Sequence, residues 1–422
     1  MSSPSGLTCL RCGTSYPAEE IVTGCATCAA EGLAVNLRVA YPASAYRTVQ
    51  AARGFDPDER GVLRYHALLP IDLAHATWLG EGETPLIHAG ALGELVGLEN
   101  LYLKNETRSP TGSYKDRMAA VVIARARAAG AKTVTIASSG NAGAALAAYA
   151  TVAGIQCVVF TSASASLAMK AQMRALGAKV IALKESPQRW TIMQAAIEKY
   201  GWYAASNYRA TPVGSNPYGV EAYKTVAYEV WEQMGREAPD VMALPVCYGD
   251  GLAGAARGFA DLVELGFIRH APRLVAGEVW GPLTHAQAEG LEAPVPAQAG
   301  PTVAFSIGGG RSTYQALHAL TESQGRAVTV TDAELLSWQA ELGRREGIYA
   351  EASSLASVAA LAKLRAEDRL RPTAVAVALI TATGLKDPGA GGVADDVPVI
   401  DPTIEHLERA LTDVYGVAAG DL

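Results

Sequence analysis

Lys115 is the residue whose setting most directly suggests covalent chemistry. It follows the turn-forming sequence Pro-Thr-Gly-Ser at 110–113 and stands in the first turn of a helix expected to continue to Ala129. The helix macrodipole disfavours a cation there, and a desolvated cleft would lower the lysine pKa further below its usual value of about 10.4. A neutral lysine amine is a nucleophile that can form a Schiff base. An exposed lysine on a helix surface is the alternative interpretation of this residue taken alone.

Four of the six cysteines form two CxxC pairs near the N-terminus. The pairs are Cys9 with Cys12 and Cys25 with Cys28, and twelve residues separate them. Two such pairs can bring four thiolates to one tetrahedral ion, and a site with four sulfur ligands leaves no open position for a substrate. We therefore predict structural zinc in a zinc-ribbon-like module, with unliganded thiols or a reversible disulfide as the alternative.

Two glycine-containing loops follow predicted strands and precede predicted helices. The first reads Ser-Ser-Gly-Asn-Ala-Gly at 138–143, and the second reads Cys-Tyr-Gly-Asp-Gly at 247–251. Small residues let backbone N–H groups approach an anion at a helix N-terminus, so both loops are candidate anion-binding sites. The carboxylate of Asp250 would repel a phosphate, so we expect its side chain to point away and only its backbone amide to contribute.

The two loops lie within a series of alternating strand-like and helix-like segments, which would hold them in place. Continuously apolar strands between alanine-rich helices predict an α/β fold with parallel sheets covered on both faces. Glycines that follow the alanine-rich runs are expected to end helices in a left-handed conformation. The β-branched runs lie at 133–136, 157–160, 180–183, 241–244 and 374–378, the alanine-rich segments at 118–129, 142–152 and 168–176, and the glycines at 130, 154 and 177.

Composition narrows the class of partner. The chain has 422 residues, of which 50% are hydrophobic and 18% charged, and its formal net charge is −7. That length predicts two or three domains, and the negative charge gives no electrostatic footprint for nucleic acid. No apolar run reaches the roughly 18 residues of a membrane span, and the first residues do not resemble a secretory signal. We expect a soluble, cytoplasmic protein with a small-molecule partner and no nucleic-acid or membrane binding.

In chain order, a series of segments resembles the threonine synthase family of pyridoxal-phosphate-dependent enzymes. The most specific is Ser-Pro-Thr-Gly-Ser-Tyr-Lys-Asp-Arg at 109–117. The resemblance implies fold type II, the tryptophan synthase β-like fold, with two parallel-sheet domains behind the N-terminal module, and a homodimer is the default assembly. The further matching segments lie at 82–86, 138–143, 245–254, 347–357 and 380–388. The domains implied are a module at 1–35, a large cofactor-binding domain at 36–130 and 215–422, and a smaller domain at 131–214.

The resemblance assigns roles to the lysine and to the first loop. Lys115 would hold pyridoxal 5′-phosphate as a Schiff base and would then act as the base that removes the α-proton of an amino-acid substrate. Ser138 and Ser139 would bind the substrate carboxylate. Asn141 would contact the 3′-oxygen of the cofactor.

The second loop and the last strand complete the implied cofactor site. A threonine hydroxyl at a strand end can hydrogen-bond to the pyridine nitrogen without forcing its full protonation. The motif register assigns this hydroxyl to Thr381, with Thr383 as the alternative. The implied phosphate cradle consists of Cys247, Tyr248, Gly249, Asp250 and Gly251.

One departure from the family pattern affects the predicted substrate. The family segment Asn-Pro-x-Arg-x-x-Gly-Gln-Lys-Thr is expected to supply an arginine for the substrate phosphate, but residues 216–225 here read Asn-Pro-Tyr-Gly-Val-Glu-Ala-Tyr-Lys-Thr, with Gly219 at the arginine position. A second departure is Met118, where the family often has glycine. Other polar residues could supply the missing contacts, and solvated roles are the alternative for each. The candidate substrate ligands besides the serines are Lys104, Asn216 and Lys224, with Arg108 and Arg209 as further sources of charge.

Three functions are compatible with these observations. The first is a threonine synthase that converts O-phospho-L-homoserine and water to L-threonine and phosphate. The second is a pyridoxal-phosphate-dependent elimination or replacement enzyme acting on a different activated amino acid, as in cysteate synthase or specialised metabolism, and Gly219 motivates it. The third is a non-catalytic cofactor-binding or zinc-scaffold protein, which the joint retention of Lys115, Asn141 and Thr381 disfavours.

Overall fold

Thirteen strands form three sheets in a computed structural model that describes residues 4–209, 211–388 and 397–422. Five of the segments predicted as strands are confirmed, with ends that differ by up to two residues. The strands are β1 (Gly6–Cys9), β2 (Ser15–Tyr16), β3 (Leu37–Ala40), β4 (Leu86–His88), β5 (Asn100–Asn105), β6 (Thr133–Ala137), β7 (Gln156–Ser162), β8 (Lys179–Leu183), β9 (Tyr203–Ala204), β10 (Val241–Pro245), β11 (Arg273–Glu278), β12 (Arg326–Thr329) and β13 (Val375–Ile380).

The sheets confirm the α/β class. A six-stranded sheet has the order β12-β11-β10-β13-β5-β4, and its neighbouring strands are parallel except for the antiparallel edge strand β4. A four-stranded sheet, β8-β7-β6-β9, is parallel throughout. The N-terminal sheet, β2-β1-β3, is antiparallel and small. The domain boundaries given above stay predictions.

Helices connect the parallel strands, as the crossover between parallel neighbours requires. Gly130, Gly154 and Gly177 have φ values of 70°, 71° and 84°, which confirms their left-handed conformation after helices. The helices are α1 (Ala26–Ala30), α2 (Ala43–Ala52), α3 (Gly90–Val96), α4 (Lys115–Ala128), α5 (Asn141–Val152), α6 (Leu167–Ala175), α7 (Gln188–Tyr200), α8 (Pro217–Glu221), α9 (Lys224–Gln233), α10 (Asp250–Glu264), α11 (Pro282–Ala288), α12 (Tyr314–Glu322), α13 (Asp332–Glu346), α14 (Ala356–Ala366) and α15 (Ile404–Tyr415).

Helix α4, which begins at Lys115, packs into two apolar cores at once. Val121 and Ala124 lie in the cluster that contains residues of β10, while Ile123 and Ala126 lie in the cluster that contains residues of β6. The helix is therefore buried on nearly all sides, and packing on both faces fixes the position of its first turn.

The segment 36–80 contains β3 and α2 and packs on the main body through an aromatic cluster. The ring centroids of Phe55 and Tyr65 are 4.8 Å apart, and those of Phe55 and Tyr228 are 4.5 Å apart. Aromatic contacts of this kind bury large apolar area and anchor the segment on helix α9. Within the described part of the chain, every helix is too short or too polar to cross a membrane.

Candidate active site

The carboxyl ends of strands from both parallel sheets meet at one cavity of about 430 Å³. Loops that follow β6, β7, β10 and β13 all line it. Clefts at the carboxyl ends of parallel strands are the usual ligand sites of α/β proteins. The cavity is lined by Lys115, Ser138, Ser139, Asn141, all five residues of the loop 247–251, and Thr381.

Lys115 enters this cavity from the first position of α4. The preceding turn is fixed to the end of β13, because Tyr114 N donates to Thr381 O at 3.0 Å and Ser113 forms a bridge with Ala382. The lysine Nζ donates to the Tyr114 hydroxyl at 3.1 Å and lies 5.2 Å from the centroid of the Tyr223 ring. The amine is therefore held between two tyrosines.

The charge state of Lys115 differs from the expectation of a lowered pKa. Burial by itself lowers the lysine pKa, but the negative potential of the Tyr114 and Tyr223 hydroxyls and of Asp250 outweighs burial and raises it. The expectation considered only the helix N-terminus and desolvation and omitted this tertiary surrounding. In the protein by itself, these surroundings therefore favour the charged form of the amine.

The loop 247–251 leads into the 15-residue helix α10, and the N–H groups at such a helix start can bind an anion. Gly249 has φ 84°, and a Cβ there would lie 2.3 Å from the Cβ of Ala316. A Cβ on Gly251 would lie 2.8 Å from Cε2 of Tyr114. Neither position accepts a side chain, so the loop can present its backbone amides closely to a ligand.

The carboxylate of Asp250 is held by three donors. It accepts hydrogen bonds from Ser215 N at 3.0 Å, from Ser215 Oγ at 2.7 Å and from Gln315 Nε2 at 2.6 Å. Gln315 in turn accepts a bond from Asn36 of the N-terminal segment at 3.2 Å. These contacts orient the carboxylate, and whether only the Asp250 amide serves a bound phosphate stays a prediction.

The loop at 138–141 places three predicted polar residues in the cavity. The Ser138 hydroxyl accepts from Gly143 N at 3.0 Å, which orients it at the start of α5. The Ser139 hydroxyl accepts from Arg189 Nη1 at 2.7 Å. A serine hydroxyl and the free N–H groups of a helix start are suitable ligands for a carboxylate.

Asn141 is tied to two charged residues that the sequence analysis did not assign to the site. Its Nδ2 donates to Glu351 Oε2 at 3.1 Å, and its Oδ1 accepts from Lys386 Nζ at 2.9 Å. Burial lowers the pKa of Lys386 to about 8 and raises that of Glu351. Both residues belong to segments of the family resemblance, 347–357 and 380–388, and that location was the only sequence signal for them.

The structure separates the two candidate threonines. Thr381 lines the cavity at the end of β13, and its hydroxyl lies 2.9 Å from the Ser354 hydroxyl. Thr383 lies outside the cavity lining, where its methyl group would be 2.7 Å from a Cβ at Gly112. Of the two, only Thr381 is placed to contact a ligand in the cavity.

Three predicted substrate ligands do not line the cavity, because each is bonded elsewhere. Lys104 Nζ donates to Glu229 at 2.7 Å and to Thr84 O at 2.7 Å, with both side chains buried. Lys224 Nζ lies 2.9 Å from Glu221 and 2.8 Å from Asp261. Asn216 caps α8 by accepting from Tyr218 N at 3.0 Å. Each of these three side chains therefore has partners within the protein, and none of them lines the cavity.

Gly219 and Met118, the two departures from the family pattern, contact each other. A Cβ built on Gly219 would lie 2.9 Å from Met118 Cγ and 2.8 Å from Val122 Cγ2. Gly219 is buried within α8 and is not part of the cavity lining. Methionine in place of glycine thus fills the space that a larger residue at position 219 would need.

The four N-terminal cysteines converge as predicted. Their sulfur atoms all lie within 4.8 Å of one another, and the Sγ atoms of Cys9 and Cys28, and those of Cys12 and Cys25, are 3.6 Å apart. Tetrahedral zinc with sulfur ligands at about 2.3 Å requires sulfur separations of about 3.8 Å. The donor set and its spacing therefore fit zinc.

Comparison with known proteins identifies the family. A family model described as "Pyridoxal-phosphate dependent enzyme" matches residues 77–382. The threonine synthase of Methanocaldococcus jannaschii is 32% identical over 415 residues, which cover 96% of this chain and 99% of that protein. The threonine synthase of Methanosarcina acetivorans is 33% identical over 413 residues, covering 96% and 98%. Maize serine racemase shares the fold, with a TM-score of 0.61 at 19% identity over 71% of this chain and 88% of its own.

The chain therefore belongs to the pyridoxal-phosphate-dependent enzymes of fold type II. Within them it is a lyase similar to the threonine synthases. The cavity fits the cofactor on its own evidence, since it combines one lysine amine, a helix start whose glycines leave no room for a Cβ, and a threonine hydroxyl at a strand end.

Proposed function

We propose that the chain is a threonine synthase, converting O-phospho-L-homoserine and water to L-threonine and phosphate. The observation that carries the proposal is the meeting of Lys115 with the 138–141 loop in one cavity of a chain that matches threonine synthases over nearly its whole length. Pyridoxal phosphate would be held by Lys115 Nζ, the amides of 247–251 and the Thr381 hydroxyl. Its ring, when bound, withdraws electrons and stabilises negative charge at the substrate Cα.

The residues of this chain would bind the substrate and move its protons. The 138–141 loop would bind the α-carboxylate and so fix the orientation of the bonds at Cα. Lys115 Nζ would take the α-proton, and the Tyr114 hydroxyl at 3.1 Å would hydrogen-bond to it throughout. In the net reaction the bond from Cγ to the phosphate-ester oxygen breaks and Cγ gains a proton, while Cβ loses a proton and gains the hydroxyl of water. The remaining proton of water goes to the released phosphate.

The test is phosphate release from O-phospho-L-homoserine by the cofactor-loaded protein, with L-threonine measured in the same sample. Equal amounts of both products are expected. If phosphate and threonine are both absent while the lysine-bound cofactor absorbs normally, the proposed reaction is wrong. Phosphate with another amino-acid product would also overturn it.

A second candidate function is elimination or replacement on another activated amino acid, as in cysteate synthase. The observation that favours it is Gly219, which removes the arginine expected for a substrate phosphate. The same assay distinguishes the two, because that enzyme would leave O-phospho-L-homoserine intact and would turn over a different activated amino acid.

Restoring arginine at position 219 is expected to destabilise the protein. Gly219→Arg would place a long charged side chain against Met118 and Val122 in a buried helix, and overpacking of this kind costs about 1–3 kcal/mol before any charge burial. Urea denaturation should show a lower midpoint for this variant than for the parent protein. The double variant Met118→Gly/Gly219→Arg should recover part of the loss. Additive effects of the two substitutions would show that these positions are not coupled.

We also propose that Cys9, Cys12, Cys25 and Cys28 bind one structural zinc ion. Elemental analysis of the purified protein should give one zinc per chain, and Cys28→Ser should lower that content and make the segment 4–40 sensitive to protease, because a closed four-sulfur site stabilises its module. Cys157→Ala is the matched control, since Cys157 lies in β7 outside the cluster. Full zinc content in Cys28→Ser would contradict the proposal. The homodimer stays a prediction.

A further inference from the structure

Arg189 lies in the cavity, but cofactor binding, carboxylate binding and proton transfer are all assigned above to other residues. It is the second residue of α7 and lines the same cavity as Lys115. No motif of the sequence analysis includes it. The family position that would carry an arginine, 219, lies in a different helix and outside the cavity lining.

Among the described residues, Arg189 forms no ion pair with a carboxylate. Its guanidinium donates to the neutral oxygens of Ser139 and Ser186, and its Cζ lies 5.6 Å from the centroid of the neutral Trp190 ring. By contrast, Arg117 pairs with Glu106 and Glu229. Partial burial lowers the pKa of Arg189, because it removes water from the charged guanidinium. Burying a guanidinium without a counter-charge costs free energy. An anionic ligand that bound to Arg189 in the cavity would offset this cost.

The guanidinium of Arg189 is nevertheless oriented. Its Nε donates to Ser186 O at 2.8 Å, Nη2 donates to Ser186 Oγ at 2.6 Å, and Nη1 donates to Ser139 Oγ at 2.7 Å. A guanidinium has five N–H donors, so these three bonds leave one donor on each terminal nitrogen within the described structure. Two such donors match the oxygens of a phosphate or similar tetrahedral anion.

The surrounding lining is rich in hydroxyl groups and its acids are already engaged. Asp250 is bound by Ser215 and Gln315, and Glu351 is bound by Asn141 and Ser306. Hydroxyls donate to phosphate oxygens without adding charge. Besides Ser215 and Ser306, the serines that line the cavity with Arg189 are Ser138, Ser139, Ser162, Ser164, Ser186 and Ser206.

We propose that Arg189 binds the second anionic group of the substrate, and that it is the residue that recognises the phosphate of O-phospho-L-homoserine in this chain. The inference rests on the proposed function for the identity of the substrate. In this proposal a residue of α7 binds the substrate phosphate. Position 219 in α8 cannot do so, because it is a glycine. The Arg189–Ser139 contact places the site for this anion next to the loop for the α-carboxylate.

The test uses two amino acids that carry no leaving group and that differ only in the second anionic group. L-2-Amino-5-phosphonopentanoate carries a phosphonate, and L-norvaline has the same carbon chain without it. Binding of each to the cofactor-loaded protein is measured by calorimetry. The parent protein should prefer the phosphonate, and Arg189→Gln should weaken phosphonate binding by ~10- to 100-fold, as expected for loss of a charge-assisted contact, while norvaline affinity changes less than about twofold.

Two further variants serve as controls. Arg174→Gln makes the same change in charge on α6 at an exposed position outside the cavity and should leave both affinities unchanged. Arg189→Lys keeps the positive charge but loses the planar guanidinium that can donate two hydrogen bonds to one anion. This variant should have an intermediate affinity for the phosphonate. It also keeps the proposal testable if Arg189→Gln does not fold.

Each result of the binding experiment either supports or overturns the proposed role of Arg189. Equal loss of both ligands in Arg189→Gln would mean that Arg189 serves the α-carboxylate, and loss of neither would mean that it binds no substrate anion; both results overturn the proposal. A parent protein that does not prefer the phosphonate overturns it as well. Because binding requires no turnover, selective phosphonate loss supports the anion site even if O-phospho-L-homoserine is not converted, in which case the proposed function alone fails.

Discussion

Lys115→Ala is expected to remove the lysine-bound cofactor absorbance and to lower turnover by at least about 10³-fold, because one substitution deletes both the attachment point and the base. Within the described residues, Lys115 is the lysine that lines the cavity, and the turn before it is tied to β13. The Lys386 amine, 2.9 Å from Asn141 Oδ1, is near the cavity but is not part of its lining. Absorbance spectra and phosphate release from O-phospho-L-homoserine measure the two effects.

The control for this variant is a lysine away from the cavity. Lys199→Ala changes an exposed lysine of α7 and should retain both absorbance and turnover. Partial recovery of Lys115→Ala by added ethylamine would support the role of the amine as base, since a small amine can enter the space left by the side chain. Turnover equal to that of the parent protein would show that Lys115 is not the reacting lysine.

Arg117→Leu is expected to reduce the free energy of unfolding by about 3–5 kcal/mol, as found when one partner of a buried ion pair is removed. Arg117 is fully buried two residues after Lys115, with Nη1 at 2.6 Å from Glu229 and Nη2 at 2.8 Å from Glu106. Its loss leaves the Glu106 carboxylate buried without a cation, while Glu229 keeps Lys104 at 2.7 Å. Urea denaturation followed by circular dichroism measures the change.

Arg125→Leu is the matched control on the same helix. Arg125 pairs with Glu20 at 2.6 Å, but both side chains are partly exposed, so the loss should be within about 1 kcal/mol. Adding Glu106→Gln to Arg117→Leu should recover part of the stability, because it removes the unpaired charge. An Arg117→Leu variant as stable as the Arg125→Leu variant would contradict this account of the ion network.

Local sequence was sufficient to predict the site residues that lie in loops directly after strands. Lys115 and Thr381 were predicted from their motifs, and both line the cavity, as do the loops at 138–141 and 247–251. The reason is physical: in parallel sheets, the carboxyl ends of the strands meet at one edge, so loops that follow different strands converge.

Charged residues were harder to place from sequence, because their partners come from distant parts of the chain. Lys104 and Lys224 appeared available to an anion, but Glu229 and Asp261, more than thirty residues away from each, bind them. Arg189 shows the opposite case, since no carboxylate in the described ranges forms an ion pair with it. Whether a cation is neutralised within the protein or left for a ligand depends on tertiary contacts that periodicity and motif spacing do not encode.

The contact between Met118 and the backbone of Gly219 constrains the order in which these positions can change during evolution. An ancestor with glycine at 118 and arginine at 219 cannot reach the present pair by two neutral single steps: methionine first would collide with the arginine, and glycine at 219 first would leave a hole about the size of that side chain. The two positions should therefore covary among homologues. Chains with methionine at 118 should carry a small residue at 219.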